Sequence, residues 1–245
     1  MINYPKVSVI VAVYNGGKTF EACLKSIQKQ LYKNIEIIIM DGGSTDNTMQ
    51  IVVAYKDMIK YCESKKDKGI YHAWNKALQH VTGEWVCFLG SDDEFSYTDA
   101  ISDMVRLSQK SDCNFISGKM EIISSKGAIL KGDPWDIGAM RKWQNIAHPG
   151  ALHHQVLFEQ FGHFNEAYKI AGDYDFLLRA SESIRGCFLD KVLVHMGADG
   201  VSNTQILPVL TEVFHIQRKY RSIGVFQAGV NFMIACLKAF VRKGI

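Results

Sequence analysis

Apolar residues along this chain follow two rhythms. In the first, short continuous apolar runs occupy residues 7–13 (VSVIVAV), 35–41 (IEIIIMD) and 85–89 (WVCFL). Runs of that length, rich in β-branched and aromatic residues, predict strands buried on both faces. A shorter run at 59–62 predicts another strand. In the second rhythm, apolar positions three and four residues apart predict amphipathic helices. These fall at 17–30, where Phe20, Leu24 and Ile27 share a face, from the GGSTDNT loop to about Lys56, and at 70–80. Strand and helix therefore alternate through the first half. That is the pattern of an α/β fold with a mostly parallel central sheet flanked by helices.

The second half is less regular. Residues 97–109 suit a helix, 114–117 and 119–130 suit two strands joined near Gly118, 155–161 and 173–183 suit helices, and 186–195 a late strand. Residues 132–155 mix Trp135 and Trp143 with Pro134, Pro149 and three histidines, and read as an irregular binding loop. Two further helices are expected at 207–220 and 225–241. No internal repeat or linker rich in Gly, Ser or Pro interrupts the chain.

Composition narrows the class. With 245 residues, 47% hydrophobic and 22% charged, the chain can bury one large α/β domain with an appendage. A net charge of +3, without a dense basic block before the carboxyl tail, argues against a nucleic-acid partner. Six scattered cysteines, several inside apolar runs, favour reduced thiols over disulfides or a zinc knuckle. The amino terminus lacks the make-up of a signal peptide, so a cytoplasmic protein is expected. The apolar tail is broken by Gln227, Asn231 and Lys238 and falls short of the roughly 20 residues of a membrane span. It fits either a helix lying on the inner membrane face or one packed on the domain.

The candidate chemistry centres on residues 84–93, EWVCFLGSDD. Asp92 and Asp93 lie just past the carboxyl end of a buried strand, the edge at which open α/β sheets bind ligands. Adjacent carboxylates repel unless a cation or donor compensates, and hard divalent ions take carboxylate oxygens. Asp41 and Asp67 follow other strands, so the same edge gathers acids distant in sequence. Carboxylates suit the ring N–H and ribose hydroxyl groups of a nucleotide, whereas its phosphates need a metal in between. In AGDYDFLLR, Asp173 and Asp175 both open a helix, and capping accounts for one of them. Asp173, in a separate segment from the other acids, is a candidate general base. Residues 14–19, YNGGKT, lack the earlier glycine of a phosphate loop and read as a turn into a helix. His148, His153 and His154 are close in sequence, but no cysteine or acid completes a zinc set nearby.

Taken together, VSVIVAVYN, MDGGSTDNT, DKGIYHAWNKAL, TGEWVCFLGSDD and AGDYDFLLR resemble, in order, the motifs of the family 2 inverting glycosyltransferases of GT-A fold. The likeness is dense over residues 7–93 and thinner, through HHQ and DGVSN, to about 203. It is greatest to small bacterial enzymes of capsule, exopolysaccharide and O-antigen assembly. The resemblance implies a nucleotide-sugar donor, UDP-linked by preference and GDP-linked as the alternative, a saccharide acceptor carried on lipid, and Mg²⁺ or Mn²⁺. It implies nucleoside contacts from Val13, Tyr14 and Asn15, base recognition by Asp41, and a base and ribose loop at Asp67. Asp92 is implied near the ribose or diphosphate, Asp93 as metal ligand, Asp173 as catalytic base, and His154 and Gln155 beside the acceptor. Two positions depart from the family pattern. Gly172 stands where the base is usually preceded by glutamate, and His72 where relatives often carry aspartate.

The expected division is a transferase domain over 1–204, split at 95/96 into donor and acceptor halves, and a helical extension over 205–245. Three other classes would leave different marks in the sequence. A sugar-nucleotide nucleotidyltransferase would want a glycine-rich loop bearing arginine after the first strand. A processive synthase would want membrane spans. A non-catalytic nucleotide or saccharide binding module would use the same acids without turnover.

Overall fold

The computed structural model describes residues 4–124, 127–197 and 206–220, with a few positions between 224 and 233. A nine-stranded sheet runs in the order β3-β2-β1-β4-β8-β6-β9-β5, and β7 pairs with β6 outside that path. Strands β1 (Val7–Val13), β2 (Ile35–Asp41), β3 (Ile59–Ser64) and β4 (Trp85–Gly90) are parallel neighbours, as their apolar runs predict. Between them come α1 (Phe20–Gln28), α2 (Thr48–Ala54) and α3 (Ile70–Leu78).

Alternation along β1 divides the interior in two. Val7, Val9, Val11 and Val13 join α1 and α4 (Ala100–Lys110) in one core, and Ile10 joins α3 in the other. Successive strand side chains point to opposite faces, so an apolar strand supplies two cores at once. The second core is strongly aromatic, with Trp74, Phe88, Phe158, Phe164 and Phe176 in mutual ring contact.

Several features of the second half differ from the sequence expectation. Residues 93–95 form a short strand, β5 (Asp93–Phe95), antiparallel to β9 (Gly186–Gly197). The strands placed on either side of Gly118 are one, β6 (Phe115–Ser124), which pairs with β7 (Gly127–Lys131) further on. Gly118 is no joint; a Cβ there would lie 2.7 Å from Leu193 and 2.8 Å from the Leu189 carbonyl oxygen, so glycine permits the approach of β9. The segment expected to be irregular holds α5 (Ile137–Lys142) and β8 (Leu152–His154), which inserts antiparallel between β4 and β6. Helices α6 (Val156–Phe161), α7 (Gly172–Arg179) and α8 (Ile206–Lys219) complete the second face. Most of the helix expected at 225–241 lies outside the described residues. Among the described residues no helix is long and apolar enough to cross a membrane.

Candidate active site

At the carboxyl ends of β1 and β2, two loops are hydrogen-bonded together. Asn15 turns the chain through a left-handed conformation (φ +50°), which its short polar side chain tolerates. Its backbone N–H donates to Ser44 Oγ at 2.7 Å, and its Oδ1 accepts from the Thr45 N–H at 2.9 Å. The N–H groups of Gly16 and Gly17 donate to Thr48 Oγ1 and Asp46 Oδ2, both at 2.9 Å. These amides are committed to the loop, so YNGGKT is a turn into a helix.

Val13 is buried at the end of β1, and its carbonyl accepts from the Gly42 N–H at 2.8 Å. Tyr14 is exposed beside it. A Cβ on Gly42 would fall 2.9 Å from Asp67 Oδ2 and 3.4 Å from the Tyr14 ring, so a bare glycine lets these two side chains come together at the carboxyl edge of the sheet. Asp41, at the end of β2, accepts from the N–H groups of Gly43 and Ser44, the Ser44 hydroxyl, and Ser64 Oγ at 2.5 Å. Its lone pairs are filled by its own neighbourhood.

Past β4, Asp93 is 2% exposed. Its Oδ2 accepts from the Gly90 N–H at 2.7 Å, while its buried Oδ1 has no hydrogen-bond partner among the described residues. Burial, reinforced by the charge of adjacent Asp92, pushes the carboxyl up to about 7. An unpartnered carboxylate oxygen beside a second acid fits a hard divalent cation. Among the described residues no group of three or more His, Cys, Asp or Glu side chains surrounds such an ion. The pair is therefore a partial set, as suits a cation whose other ligands are water and phosphate oxygens. His195 pairs with Glu94 across β5 and β9, and its Nδ1 lies 3.0 Å from Glu121 Oε2.

The Asp173 carboxylate lies in the first turn of α7. Gln144 Nε2 donates to its Oδ2 at 2.7 Å, and the Tyr71 hydroxyl lies 3.2 Å from its Oδ1 and 2.6 Å from the Ile170 carbonyl oxygen. Burial raises its carboxyl, and the Gln144, Tyr174 N–H and Tyr71 contacts partly offset this. The structure also accounts for Gly172, since a Cβ there would lie 2.7–2.9 Å from the ring of Tyr71, a buried side chain. Tyr71 thus occupies the space of a larger residue at 172 and brings its own polar atom to Asp173. Asp175, two residues on, is fully buried and bonded to Lys219 Nζ at 2.8 Å and the Tyr220 hydroxyl at 3.0 Å. The two acids of α7 have separate partners.

His154 and Gln155 are set apart from this edge. His154 pairs with Trp85 at the start of β4, its ring edge-on to that indole, and the Gln155 N–H donates to the Glu84 carbonyl at 2.9 Å. Six residues of extended chain, roughly 20 Å, separate that end of β4 from the acids at the other. His148 and His153 are buried in the aromatic core with ring centroids 4.9 Å apart. Gln144 and Tyr71 escaped the sequence reading. Tyr71 had one signal, its place in the helix that follows Asp67; Gln144 had none.

The family model for Glycosyl transferase family 2 matches residues 8–158, more than half of the chain, which belongs to that family. A PGL/p-HBAD biosynthesis glycosyltransferase of Mycobacterium tuberculosis is 27% identical over 194 residues, 78% of this chain and 72% of the relative. An uncharacterized glycosyltransferase of Rickettsia felis is 32% identical over 185 residues, 70% of this chain but only 30% of that longer relative. Among solved structures, S. aureus TarS 1-349 in complex with UDP-GlcNAc superposes with a TM-score of 0.74 at 20% identity, covering 96% of this chain and 73% of TarS 1-349. The Pyrobaculum calidifontis mannosyltransferase PcManGT, in complex with GDP-Man and Mn²⁺, gives 0.72 at 18% identity, covering 98% and 76%. The fold is the GT-A fold, an α/β architecture with a mostly parallel curled sheet flanked by helices.

Proposed function

We propose that this chain is a metal-dependent, inverting glycosyltransferase. In this reading it moves a sugar from a nucleoside diphosphate to a hydroxyl of a growing saccharide. The observation that carries the reading is Asp93, a buried carboxylate with an open oxygen at the edge where Tyr14 and Asp67 come together. Tyr14, Asn15 and Asp67 contact the nucleoside. Asp41 reaches the base only when the ligand displaces a hydroxyl donor, since Ser44 and Ser64 fill its oxygens.

Asp93 holds the divalent cation with Asp92 beside it. When bound, Mg²⁺ or Mn²⁺ supplies Lewis-acid neutralisation of the departing diphosphate. Asp173 accepts the proton of the attacking acceptor hydroxyl. Gln144 and Tyr71 fix the carboxylate's rotamer, and burial raises its proton affinity toward that of a useful base. A UDP-sugar remains the preferred donor, and the likeness to a protein that binds GDP-Man supports the alternative. A lipid-linked acceptor in cell-surface polysaccharide assembly, and peripheral membrane contact through the carboxyl tail, belong to the same proposal. Acceptor contacts fall to the 144–150 segment and α7. His154 and Gln155 are left out of them by their position.

The test is a thermal-shift panel of UDP, GDP, dTDP and CMP, each with and without Mn²⁺. One nucleotide should raise the melting temperature by a few degrees only with metal, through binding linkage. No shift with any nucleotide overturns the donor assignment.

A further inference from the structure

The base assigned above lies between two pieces of chain, and α8 grips both of them. Glu212 points its carboxylate at the segment leading into α7. The Lys169 N–H donates to Oε1 at 2.8 Å, and the N–H groups of Ile170 and Ala171 donate to Oε2 at 3.0 and 2.8 Å. Ala171 is the N-cap residue of α7, and its own side chain has no acceptor to offer the free amides of that end. The Glu212 carboxylate, from another helix, takes the Ala171 N–H and the two amides before it, and places a negative charge at the positive end of the α7 dipole. On the other side, Gln217 Nε2 donates to the Lys142 carbonyl at 2.7 Å, two residues before Gln144, whose amide holds Asp173. Lys219 and Tyr220 then fasten Asp175, two residues beyond the base.

We propose that Glu212 is a positioning residue for Asp173, and that α8 braces the base and its partner Gln144 against the acceptor. The inference rests on the reading of Asp173 as the base. It adds that α8, which lies beyond the matched family segment ending at residue 158, is needed for turnover. The loop at 169–171 has one polar tether of this kind, three consecutive amides on a single side chain. Cutting it leaves the start of α7 held by the Tyr71 hydroxyl on the Ile170 carbonyl and by Lys169 Nζ on the Lys68 carbonyl, with three backbone amides released, and a displacement of about 1 Å at a reacting group costs up to roughly a hundredfold in rate.

The experiment uses the full chain and slow hydrolysis of sugar nucleotides, in which water takes the place of the acceptor. A panel of UDP-, GDP- and dTDP-sugars with Mn²⁺ is screened on the wild type. The hydrolysed donor is then followed in Asp173→Asn, Glu212→Ala and Glu212→Gln, with nucleotide affinity measured by calorimetry. We expect Glu212→Ala to lower the rate roughly ten- to a hundredfold at unchanged nucleotide affinity and unchanged KM for the donor. Glu212→Gln, which keeps one acceptor oxygen, should recover most of it. A merely structural role would lower nucleotide-binding stoichiometry and rate in proportion, and that result overturns the proposal. So does a rate within twofold of wild type in Glu212→Ala. If Glu212→Ala does not fold, the Gln variant carries the test, with a loss of severalfold expected and none overturning it. Retained hydrolysis in Asp173→Asn, or none in the wild type with any donor, defeats the assignment of the base itself.

Discussion

Glu36 and Asp93 are buried carboxylates on one sheet, Glu36 near the amino end of β2 and Asp93 just past the carboxyl end of β4, and their surroundings are opposite. Glu36 accepts from Ser8 Oγ at 2.6 Å, the Thr82 N–H at 2.7 Å and Thr82 Oγ1 at 2.6 Å, with Lys6 Nζ 3.7 Å away. Burial alone would raise its carboxyl, but the Ser8 and Thr82 hydrogen bonds hold it below the ordinary value. Asp93 has one N–H and an open oxygen, and burial drives it up. The satisfied acid ties β1, β2 and the turn before β4 together. The unsatisfied one stores a demand for positive charge at the edge where a ligand arrives. Similar burial leaves one acid satisfied and the other with an open oxygen, which the proposed function assigns to binding.

The largest expected effect breaks the functional end alone. Asp173→Asn should cost about 10² to 10⁴ in turnover, measured by donor hydrolysis or transfer, while calorimetry finds nucleotide affinity unchanged. At the stabilising end, Glu36→Gln removes a charged acceptor from buried donors. It should lower stability by about 2–3 kcal/mol, read as a fall in melting temperature of roughly 4–12 °C with nucleotide binding intact. Its pH dependence follows from sign. The folded carboxyl has the lower pKa, so its stabilisation is complete above the unfolded value of about 4.3 and is lost as pH falls through the folded one. Glu36→Gln should flatten the acid limb of a melting curve in that range.

Asp93→Asn should do the reverse of Glu36→Gln. It removes an unpaired buried charge, so the metal-free protein should melt a few degrees higher, while the metal-dependent nucleotide shift disappears. A lower melting temperature would show that Asp93 is a structural acid like Glu36. The smallest effect comes from the core between the ends. Burial depresses His148 to about 3 and His153 well below its ordinary value, so both are neutral in the fold. Their stabilising contribution is present above the unfolded value of about 6.5 and is lost as pH falls below it. His153→Phe should therefore melt a few degrees above wild type at pH 5 and near it at pH 8.

Much of the first half was legible because strands buried on both faces write themselves as unbroken apolar runs, and β1, β2 and β4 lie where those runs predict. The rest failed for physical reasons. β5 is three residues, two of them acids, and only its pairing with β9 makes it a strand. β8 carries His153 and His154, and its place in the sheet comes from its neighbours rather than from its own β propensity. The sequence singled out Asp173 as the candidate base but gave Asp175 no role, and only the fold shows Asp175 held by Lys219 and Tyr220 and Asp173 by Gln144. The partners of Asp173 are tertiary: Tyr71 and Gln144 lie 102 and 29 positions from it.

The packing of Tyr71 on Gly172 also constrains the paths by which this site can change. A glutamate installed at 172 meets a buried ring whose hydroxyl is already bonded, so Gly172→Glu alone should damage the protein. Shrinking Tyr71 alone opens a void beside the base and removes one of its contacts. Neither single step is tolerable, and the two together restore a filled space with an acid in it. Positions 71 and 172 should therefore exchange as a pair over evolutionary time, each holding the other in place as a ratchet against reversal.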